Sequence, residues 1–230
     1  MRSLLLAPVV VPQALWVAAR AARLPEAGGD RTGENGSGRL VRLLVLGDSS
    51  AAGVGVQHQS EALGGQLATE MAKRHLIQWR VMAKSGGTVR STIRLLDTLA
   101  PDSFDVALIA LGVNDAKNGV RQQTWSKGYR QLLGTLADRF GVQTICISGL
   151  PPVRHFPILP RPLNSVLGDR AELFDRDLRQ IAGEREDTIY LPLDFTLNTT
   201  QMAEDGFHPG ADIYREWACR AADAFKKAGY

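Results

Sequence analysis

Five short apolar runs, each cut off by a glycine or a polar residue, limit how this 230-residue chain can fold. They are Leu40 to Leu46, Ile77 to Ala83, Phe104 to Leu111, Gln143 to Ser148 and Thr188 to Leu193. Runs of this length with little polar alternation suit strands buried on both faces. Between them lie segments with apolar residues at three- and four-residue spacing, at about Glu61 to His75, Thr88 to Leu99, Arg121 to Phe140, Asn164 to Ala182 and Pro209 to Ala228. Such alternation implies right-handed crossovers and a mainly parallel sheet. The expected class is α/β, a three-layer α/β/α sandwich of flavodoxin-like type with about five parallel strands. Ligands of such sheets bind beyond the carboxyl ends of the strands, so the residues after each run carry the functional reading.

Ten of the 23 glycines fall between Gly28 and Gly65. Five belong to the run 27–38 (AGGDRTGENGSG), whose composition predicts a linker without helix or strand. The expected organisation is therefore residues 1–39 as an N-terminal apolar segment plus linker, and 40–230 as one domain. Leu4 to Ala19 is mostly apolar behind Arg2, interrupted by Pro8, Pro12 and Gln13, and shorter than the ~20 residues that cross a bilayer. It reads as a retained segment packed on the domain or lying on a membrane surface, or alternatively as a signal sequence ending near Ala19-Arg20-Ala21. A cytoplasmic or membrane-surface location is expected, with export as the alternative. The 27 basic and 24 acidic residues are interspersed and contain no Lys/Arg block that would track a phosphate backbone, which argues against a nucleic-acid partner. Cys146 and Cys219 lack zinc-type spacing and read as buried free thiols.

After the first run comes Gly47-Asp48-Ser49-Ser50-Ala51-Ala52-Gly53-Val54-Gly55, which predicts a sharp turn into a helix that exposes a serine hydroxyl and backbone N–H groups. A phosphate loop would also be glycine-rich, but GxxxxGK[ST] is absent and His58 stands where GxGxxG needs its third glycine. Ser49 as a plain helix cap is the other local reading. Near the end of the chain, Asp205-Gly206-Phe207-His208-Pro209-Gly210 puts a carboxylate three residues before an imidazole in a loop that Gly206 can bend. Asp205 can then accept from His208 Nδ1–H and leave Nε2 to take a hydroxyl proton, as nucleophilic serine chemistry requires. Ser85-Gly86-Gly87-Thr88 after the second run offers an unobstructed backbone N–H, and Asn114 after the third offers a carboxamide, both suitable donors to an oxyanion. Each could equally be a tight turn or an Asx turn.

Taken together, the blocks Gly47-Asp48-Ser49, Ser85-Gly86-Gly87-Thr88, Gly112-Val113-Asn114-Asp115 and Asp205-Gly206-Phe207-His208 resemble the SGNH or GDSL hydrolases over about Leu40 to Ala228. The resemblance implies a serine esterase with Ser49 as nucleophile, His208 as general base and acid, and Asp205 as the orienting carboxylate. It implies an oxyanion hole of Ser49 N–H, Gly86 N–H and the Asn114 side chain, with no cofactor and no metal. Ser50 follows Ser49 where the family carries leucine, and Gly87 competes with Gly86; the family positions favour Ser49 and Gly86. The asparagine that often precedes the second block is replaced by Ala83-Lys84, so support for that loop is expected to differ. The GxSxG elbow of the larger α/β-hydrolases is absent.

The implied substrates are small-molecule carboxylic esters of short to medium acyl chains. Carbohydrate acetyl esters, lysophospholipids and thioesters are alternatives, and a phosphate- or nucleotide-binding module is the non-enzyme rival. The 15 aromatic residues give little material for stacking sugars. Leu150 to Pro162, with five prolines in thirteen residues, predicts an ordered loop whose apolar members wall an acyl pocket. His155 has no carboxylate at the DxxH spacing, His58 and His75 read as surface residues, and Asp48 and Asp115 are expected to hold their loops by local hydrogen bonds. The remaining length leaves little chain for a lid domain, so an open site is expected.

Overall fold

A computed structural model describes residues 6–194 and 199–230. Helix α1 spans Ala7–Arg20, followed by strands β1 (Thr32–Gly36) and β2 (Leu40–Gly47). Helix α2 (Leu63–Met71), strand β3 (Leu76–Ala83), helix α3 (Val89–Thr98) and strand β4 (Val106–Ala110) come next. A short helix α4 (Val113–Lys117), helix α5 (Gln122–Phe140), strand β5 (Thr144–Ser148) and helix α6 (Leu163–Gly183) follow, then strand β6 (Thr188–Leu191) and helix α7 (Ala211–Lys227).

The sheet order is β1-β3-β2-β4-β5-β6, with β2 to β6 parallel to one another where they pair and β1 antiparallel to β3. Side chains alternate across it, as the two-residue period of a strand demands. Leu44, Leu46, Ala107, Ile109, Ile145 and Ile147 pack under α3, α5 and α6. Leu43, Val45, Val106, Leu108 and Cys146 pack under α2 and α7. Both faces are therefore buried, which accounts for the uninterrupted apolar runs. Helix α3 starts at a capping box between Thr88 and Ser91 and buries Val89, Thr92, Ile93 and Leu96 along one face.

The sheet has six strands rather than the five expected, because β1 forms inside the run 27–38 read as a linker. Strand pairing needs only backbone groups, and all of β1 is exposed, so no apolar pattern marks it. Small residues have a use there: a Cβ on Gly33 would lie 2.8 Å from Nε1 of Trp79, whose indole crosses the strand and donates to Asn35 Oδ1.

Candidate active site

Strand β2 ends at Gly47, where a Cβ would come within 2.4 Å of the Ala51 side chain and 2.7 Å of the Ala110 carbonyl. Only glycine allows the chain to turn back so closely. Instead of opening directly into a helix, residues 48–56 form successive turns, with Ala52 N–H donating to Asp48 O and Val54 N–H to Ser49 O. Gly53 and Gly55 adopt φ of +81° and +104°, which breaks helical continuation, and α2 begins only at Leu63. Ser49 tops this turn and is 9% exposed, sheltered yet reachable.

His208 arrives from the other end of the chain. Its Nε2 lies 2.8 Å from Ser49 Oγ, and its Nδ1 lies 2.5 Å from Asp205 Oδ2. Asp205 Oδ1 also accepts the backbone N–H groups of Phe207 and His208, each at 2.9 Å, and Gly206 at φ +62° closes this loop. Burial alone would raise the Asp205 pKa, but these hydrogen bonds and the His208 ring hold it below the usual carboxylate range. A carboxylate facing Nδ1 keeps the proton there and turns the Nε2 lone pair to the serine hydroxyl, the arrangement in which imidazole can accept its proton. The contact is to Ser49, not Ser50, whose backbone N–H instead donates to Asp48 Oδ1. Helix α7 starts at Ala211, two residues after Pro209, because Pro209 bridges Met202 and Gly210 N–H donates to Gln201 O.

Among the described residues, the N–H groups of Ser49 and Gly86 make no hydrogen bond, whereas Gly87 N–H donates to Lys84 O at 2.8 Å. The free amide in the second block is thus that of Gly86. Asn114, on α4, is nearly buried and its Nδ2 donates to Asp48 Oδ2 and to Gly87 O, both at 3.1 Å. Its two protons already have partners, so an oxyanion here would share one of them. Burial pushes the Asp48 pKa up to about 6, against the lowering pull of Ser50 N–H and His208. Asp115 Oδ2 accepts Val89 N–H at 3.1 Å and is also pushed up to about 6 by burial.

Two residues that local sequence patterns do not mark support this loop. Glu26 Oε1 accepts Ser85 N–H at 2.6 Å, and Arg31 donates to Ala83 O at 2.7 Å while pairing with Glu26 at 2.5 Å. Glu26 precedes the glycine-rich run 27–38 and Arg31 lies within it, and neither stands in one of the four blocks after the strands.

Two cavities meet at Ser49 and Asn114. A small one of about 60 Å³ is bounded by Leu111, Leu150, Phe156 and Trp217, and a larger groove of about 610 Å³ also reaches His208 and Gly86. The proline-rich loop contributes Leu150, Pro151 and Phe156 to the first and Ile158 and Leu159 to the second. Among the described residues, no three His, Cys, Asp or Glu side chains converge as metal ligands would. Cys146 is buried, Cys219 half-buried, and both are free thiols.

Solved structures with the same fold include TesA, with 21% identity over 81% of this chain and 98% of that one at a TM-score of 0.65. Esterase EstA from Pseudoalteromonas sp., in a form inhibited by monoethylphosphonate, is 20% identical over 81% of this chain and 97% of its own (TM-score 0.62). Est24, a carbohydrate acetylesterase from Sinorhizobium meliloti, is 14% identical over 82% and 99% (TM-score 0.60). No curated protein matches the chain. At these identities the likeness speaks for the fold alone. The profile of the GDSL-like lipase/acylhydrolase family, however, matches residues 45–216, from the end of β2 into α7, and the chain accordingly belongs to that family.

Proposed function

We propose that this family member is a serine esterase that cleaves carboxylic esters through an acyl-enzyme on Ser49. The observation that carries the reading is the 2.8 Å approach of His208 Nε2 to Ser49 Oγ, with Asp205 against the opposite ring nitrogen. In the first step the Ser49 hydroxyl oxygen bonds to the ester carbonyl carbon while its proton passes to His208 Nε2. The carbonyl becomes an oxyanion, for which the free N–H groups of Ser49 and Gly86 and a shared proton of Asn114 are the available donors. On collapse the bond to the leaving oxygen breaks and His208 returns the proton to it as the alcohol departs. Water then repeats the sequence on the acyl-enzyme, releasing the acid and restoring Ser49.

TesA, EstA and Est24 share the fold, and Est24 acts on carbohydrate acetyl esters. Simple or lipid-like esters are favoured here over sugars, because the larger groove at Ser49 is lined for the most part by aliphatic side chains, with rings only from Phe207 and His208. The same reading includes contact with a lipid surface. Val9, Leu15 and Trp16 on α1 are exposed, and no helix among the described residues is long and apolar enough to cross a membrane.

The test compares wild type and Ser49→Ala on p-nitrophenyl acetate, butyrate and octanoate. Turnover by wild type that is lost in the variant is expected, together with covalent labelling of Ser49 by a fluorophosphonate. Equal turnover by both proteins would reject the assignment, and nucleotide or phosphate binding at the Gly47 to Gly55 turn without hydrolysis would favour the binding-module reading.

A further inference from the structure

We propose that helix α1 is the chain-length-determining wall of the active-site groove, and that the groove holds a long alkyl chain of the ester; this rests on the esterase reading above. The groove's volume of about 610 Å³ lies well within the ~300–1,000 Å³ of small-molecule sites. It is some twenty times the ~30 Å³ share of a liquid water molecule, room for a dozen or more methylene groups. Short-chain esters would leave most of it to water. The small pocket that also touches Ser49 and Asn114 has about a tenth of that volume. The pair of cavities thus fits an ester with one short arm and one long one.

The long wall comes from both ends of the chain. Ile158, Leu163 and Leu167 form one side, and Val10, Ala14, Val17, Ala18 and Ala21 of α1 and its end form the facing one. The latter recur at three- and four-residue intervals, so a single face of the helix is turned to the groove. Val10 and Val17 also touch the core cluster beneath α5 and α6. Gln13 fixes the helix: its Nε2 donates to Arg161 O at 2.7 Å and its Oε1 accepts Leu163 N–H at 3.1 Å. No residue of α1 is fully buried. The helix packs on the core through Val10 and Val17 but adds no buried residue to it, so the main consequence of this placement falls on the groove. Helix α1 also precedes residue 45, where the family match begins, so the wall is an addition to the matched part of the fold.

The experiment measures kcat/KM on two series below their micellar concentrations, p-nitrophenyl esters with acyl chains of two to sixteen carbons and 1-alkyl acetates with alcohols of the same lengths. The full chain is compared with Ala14→Phe and Ala18→Phe, which put a ring into the groove, and with Leu15→Gln on the outer face. Wild type is expected to gain about two- to fourfold per added methylene up to at least ten carbons in one series, as burial of each group predicts. The series that shows the gain identifies whether the chain sits on the acyl or the alcohol side, and either supports the proposal. Each phenylalanine variant is expected to lower the ratio of dodecyl to butyl kcat/KM at least tenfold with Tm close to wild type, and Leu15→Gln to keep the wild-type ratio. An optimum at two to four carbons in both series, or an unchanged ratio in both phenylalanine variants, overturns the proposal while leaving Ser49-dependent hydrolysis intact. Absence of Ser49-dependent turnover at every chain length overturns the esterase reading itself.

Discussion

Glu26 Oε1 accepts the backbone N–H of Ser85 at 2.6 Å, so a residue that precedes the whole parallel sheet holds the loop next to Gly86. The Gly86 amide is useful only at one position, and misplacement of a reacting group by about 1 Å can cost up to ~10²-fold. Glu26→Ala should therefore lower kcat roughly tenfold with little change in KM, and Glu26→Gln, which keeps an acceptor but loses the Arg31 ion pair, should recover part of it. Steady-state kinetics on p-nitrophenyl butyrate check this; a change in KM alone would show that Glu26 does not position the loop.

In the proposed reaction Ser49 and His208 act on one proton, so removing either should cost about as much as removing both, of order 10⁴ to 10⁶ in kcat. Independent, additive losses in Ser49→Ala, His208→Ala and the double variant would contradict a shared proton transfer.

The carboxamide of Asn114 is aimed by Asp48, which accepts from it at 3.1 Å. Asn114→Ala should reduce kcat by about 10² to 10³. Asp48→Asn keeps an acceptor for Ser50 N–H but sets one NH₂ group against another, so it should turn Asn114 away and lower kcat in the same direction. Single-turnover acylation rates distinguish this from slower product release.

Asp48 and Asp115 both have pKa values pushed up to about 6 by burial. A carboxyl that holds its proton more tightly when folded stabilises the protein fully below its unfolded value near ~3.9, and that contribution is lost as pH rises through about 6. Asp115→Asn can still accept Val89 N–H through its amide oxygen. Relative to wild type it should gain about 1–3 kcal/mol between pH 4 and pH 7, measured by urea unfolding at both. Asp205 and Asp187 are held low, so their contributions are present above the usual carboxylate range and fall away only at more acid pH.

Gly65 lies inside α2, where alanine would ordinarily favour the helix by ~1 kcal/mol. A Cβ there would sit 2.1 Å from the Gln59 carbonyl oxygen and 2.9 Å from Ser60 Cα, both backbone atoms. The clash should reverse the sign, so that Gly65→Ala destabilises by about 1–3 kcal/mol. Thermal unfolding checks it, and a raised Tm would show that the 59–60 turn yields freely.

The parallel core strands and the helices between them were legible because two-sided burial writes itself as apolar runs and helical faces as three- and four-residue spacing. Ser49, Asn114 and His208 were legible because each stands in a short block just past a strand or at a helix entrance. Glu26 and Arg31 were not, since their partners Ser85 and Ala83 lie more than fifty residues away and hydrogen bonding across that span leaves no periodicity. Helix α1 was obscured by Pro8 and Pro12. Pro8 falls in the first turn, where a missing donor costs nothing, and the helix runs on through Pro12. The two glycines of α2 without a sequence rationale have a spatial one: Gly64 approaches Val81, and Gly65 the turn at Gln59.

Strand β1 also has a bearing on solubility. Strand β3 would otherwise end the sheet with an open ladder of N–H and C=O groups beside Ile77 and Val81, the kind of border along which separate molecules join into aggregates. Thr32–Gly36 covers that border with a short exposed strand that carries Glu34 and no large apolar side chain, a poor template for a further strand. The glycine-rich run thereby replaces the β3 border with a short, polar edge.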